Sequence, residues 1–371
     1  LDGFVYLYLI YDCKKEHLLR TGQGLSILGI TCLRDDGPYC AEWIAHHLAA
    51  GIDRMLVITH DCSDGSDTLL NALMQDPRIL HLDFTPKGKK SVQWQALKIV
   101  QDHPWYQDTD WALFFDCDEF LCGAEQGLPE ILRDLENTSG AFDAVALPWR
   151  LFGTSGLRAW TDGLTPERFT QAAPADLHFP LAHLFKTIFR PKAFAKPGVH
   201  RPRAKLKRPA RWITPDGTEL PENFARADAA ITLYSQYRTP SPLCLNHYSI
   251  RSEVEFLLKR KRGLPNHVDR EIGLTYWVER NWNTVKDTAI APMLPATRKT
   301  LAQLMALPNV AELHAASRNH HRAAIKDMLP DIGTLRLQYR LRMHPTSTPP
   351  TADEGRAFVA AQRAAFAQKG P

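Results

Sequence analysis

The sequence predicts an α/β protein: a doubly wound, mostly parallel sheet with a helical C-terminal extension. Three observations carry this reading. Short strand-like runs alternate with helical periodicity from residue 25 to about 150, the pattern of βαβ units. One run, Trp111-Ala112-Leu113-Phe114-Phe115, is apolar throughout, as a strand covered on both faces requires. Two acidic loops, residues 60–67 and 116–119, fall at the carboxyl ends of predicted strands, where open α/β sheets bind ligands.

The elements follow in order. Residues 1–24 form a lead-in, with one strand expected from Phe4 to Tyr11 and a turn at Thr21-Gly22-Gln23-Gly24. Leu25 to Thr31 is the first β-rich run. Asp36-Gly37-Pro38 then opens a helix, with Pro38 where a missing N–H costs nothing. Cys40, Trp43, Ile44, His47 and Leu48 mark one face of that helix, and Gly51 stops it. Strands are expected at Met55 to Thr59, Ile79 to Phe84, Trp111 to Phe115 and Ala144 to Trp149. Helices are expected after Asp67, over Ser91 to Asp102, and around Leu128, Ile131, Leu132 and Leu135. Beyond residue 150 the alternation ends. His183 to Arg190 reads as a strand, Cys244 to Ile250 as a short strand or loop, and Ser252 with Glu255 as a capping box opening a helix to Arg262. Amphipathic pieces near 296–306 and 309–328, a Pro/Thr linker at 345–352 and an Ala-rich tail close the chain.

Composition narrows the class. With 371 residues, 44% hydrophobic and 23% charged, the chain has ordinary globular proportions, and a net charge of +4 does not argue for nucleic acid. Seven cysteines without a Cys-x-x-Cys pair argue against a disulfide framework and structural zinc, so a reducing, cytoplasmic setting is expected. No apolar run reaches the roughly 20 residues of a membrane span. Leu1 to Ile10 is apolar but lacks a basic leader, so it is not read as a signal peptide.

Chemistry concentrates in Phe115-Asp116-Cys117-Asp118-Glu119-Phe120. In extended backbone Asp116 and Asp118 would point to one side, and two such carboxylates repel unless a cation lies between them. That suits a divalent metal with hard oxygen ligands, Mg²⁺ or Mn²⁺; the plain alternative is an acidic turn. Asp61 and Asp64 suit hydrogen bonds to a base or ribose, but Asp64 suits capping the next helix equally well. His247 and His200 are rival imidazole ligands. The basic residues Arg201 to Arg211, with Lys186 and Arg190, read as a diphosphate clamp or as a solvated hairpin. Arg251 and Lys259 to Arg262 read as a charged helix face.

Six motifs, in order over residues 25–265, resemble one family. They are Arg34-Asp35-Asp36-Gly37-Pro38-Tyr39 with Glu42-Trp43-Ile44-Ala45-His46-His47; residues 61–67; residues 115–120; Trp149 to Gly156; Lys186 to Pro191; and Asn246 to Ser252 leading into Phe256 and Lys259 to Gly263. The chain is similar to glycosyltransferase family 2-like proteins of the GT-A fold, in the bacterial branch that resembles family 92. Arg34-Asp35-Asp36 departs mildly from the Lys-Asn or Arg-Asn opening usual there.

The resemblance implies a metal-dependent transferase that moves a sugar from a nucleotide diphosphate, UDP above all, to an acceptor hydroxyl with inversion. It implies Mn²⁺ or Mg²⁺ on Asp116, Asp118 and His247, with Asp118 the direct ligand. Arg34, Asp61, Asp64, Asp116 and Lys186 would contact the donor. Asp162 or Glu167, after the fifth strand, would be the general base. The implied acceptor is a surface glycan or glycolipid intermediate, with peripheral association at the inner face of the membrane. The implied division is a GT-A domain over 25–290 (a nucleotide-binding half to 150, then an acceptor and metal half to 265), a helical extension over 291–344 and a tail over 345–371. A haloacid-dehalogenase-like phosphatase shares the Asp-x-Asp but favours Thr or Val where Phe120 stands. A nucleotidyltransferase would want a Gly-rich, basic loop after the first strand. A carbohydrate-binding protein with a decayed site remains the non-catalytic alternative.

Overall fold

The computed structural model describes residues 24–88, 90–205, 208–233, 243–263 and 272–368, so the strand expected at Phe4 to Tyr11 and the turn at 21–23 lie outside the described residues. The first half alternates as expected: β1 (Ile27–Leu33), α1 (Gly37–Ala49), β2 (Arg54–Thr59), α2 (Ser66–Leu73), β3 (Ile79–Asp83), α3 (Val92–Gln101), α4 (Pro104–Gln107) and β4 (Trp111–Phe114). Then come β5 (Glu119–Cys122), α5 (Leu128–Ser139), β6 (Ala144–Leu151), α6 (Thr165–Arg168), β7 (Gln171–Ala172), β8 (Phe185–Phe189), β9 (Trp212–Ile213), α7 (Glu222–Arg226) and β10 (Cys244–His247). The chain continues through α8 (Glu253–Arg262), α9 (Leu274–Val278), β11 (Val285–Lys286), α10 (Leu294–Met305), α11 (Val310–Met328), α12 (Ile332–Met343) and α13 (Ala352–Gln368).

The main sheet has the order β3-β2-β1-β4-β8-β6-β10-β5, with β9 beside β6. Strands β3, β2, β1 and β4 are parallel, as are β6 and β10. Strand β8 is antiparallel to both neighbours, and β5 is antiparallel to β10. Both faces are covered. Trp111 and Leu113 enter one core, Ala112 and Phe114 the other, and Met55/Val57 against Leu56/Ile58 repeat the alternation on β2. Chain order reverses between β1 and β4, so the crevice beyond their carboxyl ends is the topological switch point.

Two expectations need correction. First, a turn and the unexpected strand β5 follow β4 at once, so Asp116 and Asp118 do not sit on extended backbone; the Glu119 N–H closes the turn on the Asp116 carbonyl at 2.9 Å. Second, α1 is buried nearly all round rather than on one face. Helices α10 and α11 pack over its outer side. A Cβ on Gly37 would collide with the Ser317 hydroxyl of α11, so a residue without a side chain is what lets that helix approach.

Candidate active site

The β4–β5 turn presents its acids at the switch point, and each carboxylate has an ammonium partner. Lys186, wholly buried on β8, donates to Asp116 Oδ2 at 2.9 Å and to the Val199 carbonyl at 3.2 Å. Gln93 of α3 donates to Asp116 Oδ1 at 3.1 Å. Lys259, one face of α8 inward, donates to Asp118 Oδ2 at 2.9 Å and to the Ser249 carbonyl at 2.8 Å. Burial works to raise the Asp118 pKa, but Lys259 and His247 outweigh it and hold the carboxyl well below the usual range. Burial works to lower both lysines, yet Asp116 and Glu119 raise Lys186, and Asp118 raises Lys259. Asp118 is therefore ionised at neutral pH, and both lysines are charged. Glu119 points inward: its Oε2 accepts the Asp116 N–H at 3.0 Å, and burial pushes its carboxyl well up.

Strand register brings the histidine in. Antiparallel pairing sets His247 opposite Glu119, and the Tyr248 N–H reaches the Asp118 carbonyl at 2.8 Å. His247 Nε2 lies 3.4 Å from Asp118 Oδ1, and burial lowers its pKa, so the imidazole is neutral. A neutral nitrogen beside an ionised oxygen is a donor pair that suits Mn²⁺. Its Nδ1 is buried without a hydrogen-bond partner. Asp116, occupied by Lys186 and Gln93, does not join these two in a trio with all donor atoms within 4.8 Å. Among the described residues that description fits Asp35, Cys62 and Asp64 instead. Burial pushes the Cys62 thiol up to about 12, and a protonated thiol is a poor ligand. His200, the rival imidazole, donates from Nδ1 to the Phe185 carbonyl at 3.0 Å and is lowered to about 4 by burial and by Lys186.

Beside the turn lies a cavity of about 290 Å³ bounded by the exit of β1, the face of α8 and α11, and lined among others by Asp36, Tyr39, Arg251, Lys259, Arg262 and His321. Its walls are sewn together. Arg262 pairs with Asp36 at 3.0 Å and donates to the Arg34 and Asp35 carbonyls at 2.7 and 2.8 Å, while Arg34 donates back to the Arg262 carbonyl. Arg251 stacks on Tyr39 with its guanidinium 3.5 Å from the ring centre.

The 61–67 loop divides its two acids. Asp61 is exposed and meets His60 Nδ1 at 3.1 Å. Asp64 is buried and spent: Oδ2 accepts from the Gly37 N–H at 3.0 Å, Ser317 at 3.2 Å and His321 Nε2 at 2.7 Å, and Oδ1 accepts from the Ser66 N–H at 2.9 Å. Burial opposes its ionisation, but His321 and Ser66 prevail and the carboxyl is held below its usual range. Asp64 thus ties the start of α1 and the first turn of α2 to side chains of α11.

The remaining expectations place less well. Asp162 pairs with Arg318 and Arg322, and Glu167 with Arg298, so arginines of the C-terminal helices hold both base candidates. The clamp expected from the basic segment is not assembled: Arg201 stacks on Trp212, Arg190 pairs with Glu136, and Arg211 pairs with Glu219. Lys259, first read as part of a solvated face, and His321 are the residues that sequence reasoning missed. Glu255, Lys259 and Arg262 share one helical face at i, i+4, i+7, a signal that was available; His321 had none.

The model of glycosyltransferase family 92 matches residues 38–273, well over half of the chain. No curated protein matches in sequence. Among solved structures, residues 1–349 of TarS from S. aureus align at 12% identity over 82% of this chain and 91% of that one, with a TM-score of 0.30. WbbM, a bifunctional glycosyltransferase without ligand, aligns at 15% over 46% and 32%, with a TM-score of 0.26. A Bacillus anthracis protein named as a glucose-1-phosphate thymidylyltransferase, in complex with sucrose, aligns at 12% over 45% and 73%, with a TM-score of 0.28. Likenesses this low bear on neither substrate nor mechanism.

Proposed function

The chain belongs to glycosyltransferase family 92 and is a glycosyltransferase, and we propose that it moves a sugar from a UDP-linked donor to an acceptor hydroxyl with inversion, using Mn²⁺ or Mg²⁺. One observation carries the donor reading: two carboxylates, each paired with a lysine, stand on the β4–β5 turn at the switch point, beside a cavity walled by Lys259, Arg251 and Arg262. In this reading Asp118 and His247 hold the cation, and Asp116 borders it. A divalent ion bound there supplies Lewis-acid stabilisation of the departing diphosphate. Lys259 keeps Asp118 charged before any ligand arrives, and Lys186 holds Asp116 in place. Arg251 and Arg262 add positive charge to the cavity for phosphate oxygens. Arg34 and Asp61 border the base and ribose. Asp162 or Glu167 serves as general base once its arginine partners let go, because a carboxylate held by guanidinium is a weak base. The acceptor belongs to surface polysaccharide or glycolipid synthesis.

The two lysines favour a second reading, in which Lys186 and Lys259 are themselves the cations that meet the diphosphate. Hydrolysis of a panel of nucleotide sugars, followed with Mn²⁺ and with EDTA, separates the two. The metal reading expects turnover of a UDP-sugar that EDTA abolishes. Turnover untouched by EDTA supports the lysines. Phosphate release from a phosphomonoester, with no sugar nucleotide consumed, overturns both in favour of a phosphatase.

A further inference from the structure

Helix α12 presents an apolar stripe to solvent. Ile332, Leu335, Tyr339 and Met343 are 62%, 43%, 71% and 62% exposed. Their spacing of three, four and four residues places them on one side of the helix, because each turn takes 3.6 residues. Leu337 and Leu341 occupy the opposite side and are buried against the cluster of Ile250, Phe256 and Trp277. The helix is therefore apolar on two faces, and only one has a partner among the described residues.

Charge flanks the exposed stripe. Projected at 100° per residue, Arg336 and Arg340 border it on one side and Arg342 on the other. From Ile332 to Met343 the helix carries no Asp or Glu. Arg342 reaches inward to Glu253 at 3.1 Å, while Arg336 and Arg340 are exposed. Gln338 also binds Glu253, at 2.8 Å, so α12 is fixed to the first turn of α8 rather than swinging free.

We propose that this face of α12 docks on an anionic lipid surface. Aliphatic and aromatic side chains centred between arginines are the pattern of a helix lying in the plane of a membrane interface, with the apolar row in the acyl boundary and the guanidinium groups at phosphate depth. A second copy of the chain fits the same face poorly: pairing it with itself would set arginine rows against arginine rows. No helix of the described residues is long and apolar enough to cross a membrane, so contact through this face would be peripheral. Docked this way, α12 would set the rigidly attached α8, and with it Lys259, at a fixed height above the lipid. The inference does not depend on the donor, the metal or the general base.

The test is flotation of the full chain with vesicles of phosphatidylcholine alone and of phosphatidylcholine with phosphatidylglycerol. The wild type should float with the anionic vesicles, weakly with the neutral ones, and less at high salt. Leu335→Gln with Tyr339→Gln should abolish flotation. Arg336→Gln with Arg340→Gln should weaken binding to anionic vesicles by roughly fivefold per arginine and leave neutral vesicles unaffected. All four positions are exposed, so thermal melts of both variants should match the wild type. Absence of wild-type flotation, or equal flotation of wild type and variants, overturns the proposal. So does a lipid-free wild-type dimer that the Leu335/Tyr339 variant converts to monomer.

Discussion

Two acidic loops leave the carboxyl ends of β2 and β4, the strands on either side of β1, and their acids keep different company. At the β4–β5 turn, Asp116 and Asp118 keep 31% and 13% of their side chains exposed, and their main partners are lysine ammoniums on four-carbon stems. At the β2–α2 loop, Asp64 keeps 1% exposed, and its partners are two backbone N–H groups, two serines and a histidine from a helix that begins more than 240 residues later. A lysine can follow an incoming phosphate, and the acid it leaves can take a metal. Backbone N–H groups at the starts of α1 and α2 cannot move without unfolding those ends. Aspartates in similar sequence settings thus meet different partners: lysine side chains in one loop, and backbone N–H groups with side chains of a packed helix in the other.

The comparison can be broken at several points. The largest effect should come from Asp118→Asn, which removes a charge from the reactive pair: initial rates of donor turnover should fall about a thousandfold, in the range seen when one electrostatic contact to a developing charge is lost. A rate within tenfold of wild type would move the chemistry elsewhere. Next, Asp64→Ala strips the acceptor from the Gly37 and Ser66 N–H groups and from His321, and should cost about 3–5 kcal/mol in denaturant unfolding, as when a buried pair loses one member. A variant as stable as wild type but unable to bind donor would make Asp64 a ligand after all.

A third acid sharpens the contrast through pH. Glu42 accepts from the Thr165 N–H and hydroxyl, has no salt-bridge partner among the described residues, and burial pushes it up to about 7. Its folded form therefore holds a proton that the unfolded chain releases near pH 4.5, and its contribution to stability falls as pH rises from about 4.5 to 7. Asp64, held below its usual range, has the opposite sign: it stabilises above the ordinary carboxylate range and the gain is lost as pH falls. Glu42→Gln keeps the shape and drops the titration. Relative to wild type it should gain stability across that window, to the order of 3 kcal/mol at pH 7 and above, in urea unfolding at stepped pH. A pH-independent difference would contradict it. The smallest effect is expected from exposed Asp61→Ala, within about 0.5 kcal/mol of wild type in the same assay.

What could be read from the sequence was local. The β1 to β4 strands, the opening of α1 at Gly37 and the Ser252/Glu255 cap depend on neighbours in the chain, and they stand close to where periodicity and capping chemistry put them. Strand β5 escaped because Glu119-Phe120-Leu121-Cys122 opens with a charge and pairs with residues 244–247, far along the chain. The all-round burial of α1 escaped for the same reason: its cover, α10 and α11, lies in a stretch with no recognisable motif. In the site, the acids were legible because carboxylates clustered after an apolar strand demand an explanation. Of their lysines, Lys186 was legible as a donor contact but not as the partner of Asp116, and Lys259 was not, because it lies inside a basic run that reads as a charged helix face until its helical phase is drawn.

The most direct test of the reactive pair is calorimetric titration of UDP, in the presence of Mn²⁺, into wild type, Asp118→Asn and Asp64→Asn. The account predicts that Asp118→Asn weakens binding at least about thirtyfold, roughly 2 kcal/mol, while folded Asp64→Asn stays within about threefold of wild type. Wild-type affinity in Asp118→Asn, with the loss appearing in Asp64→Asn instead, would contradict it.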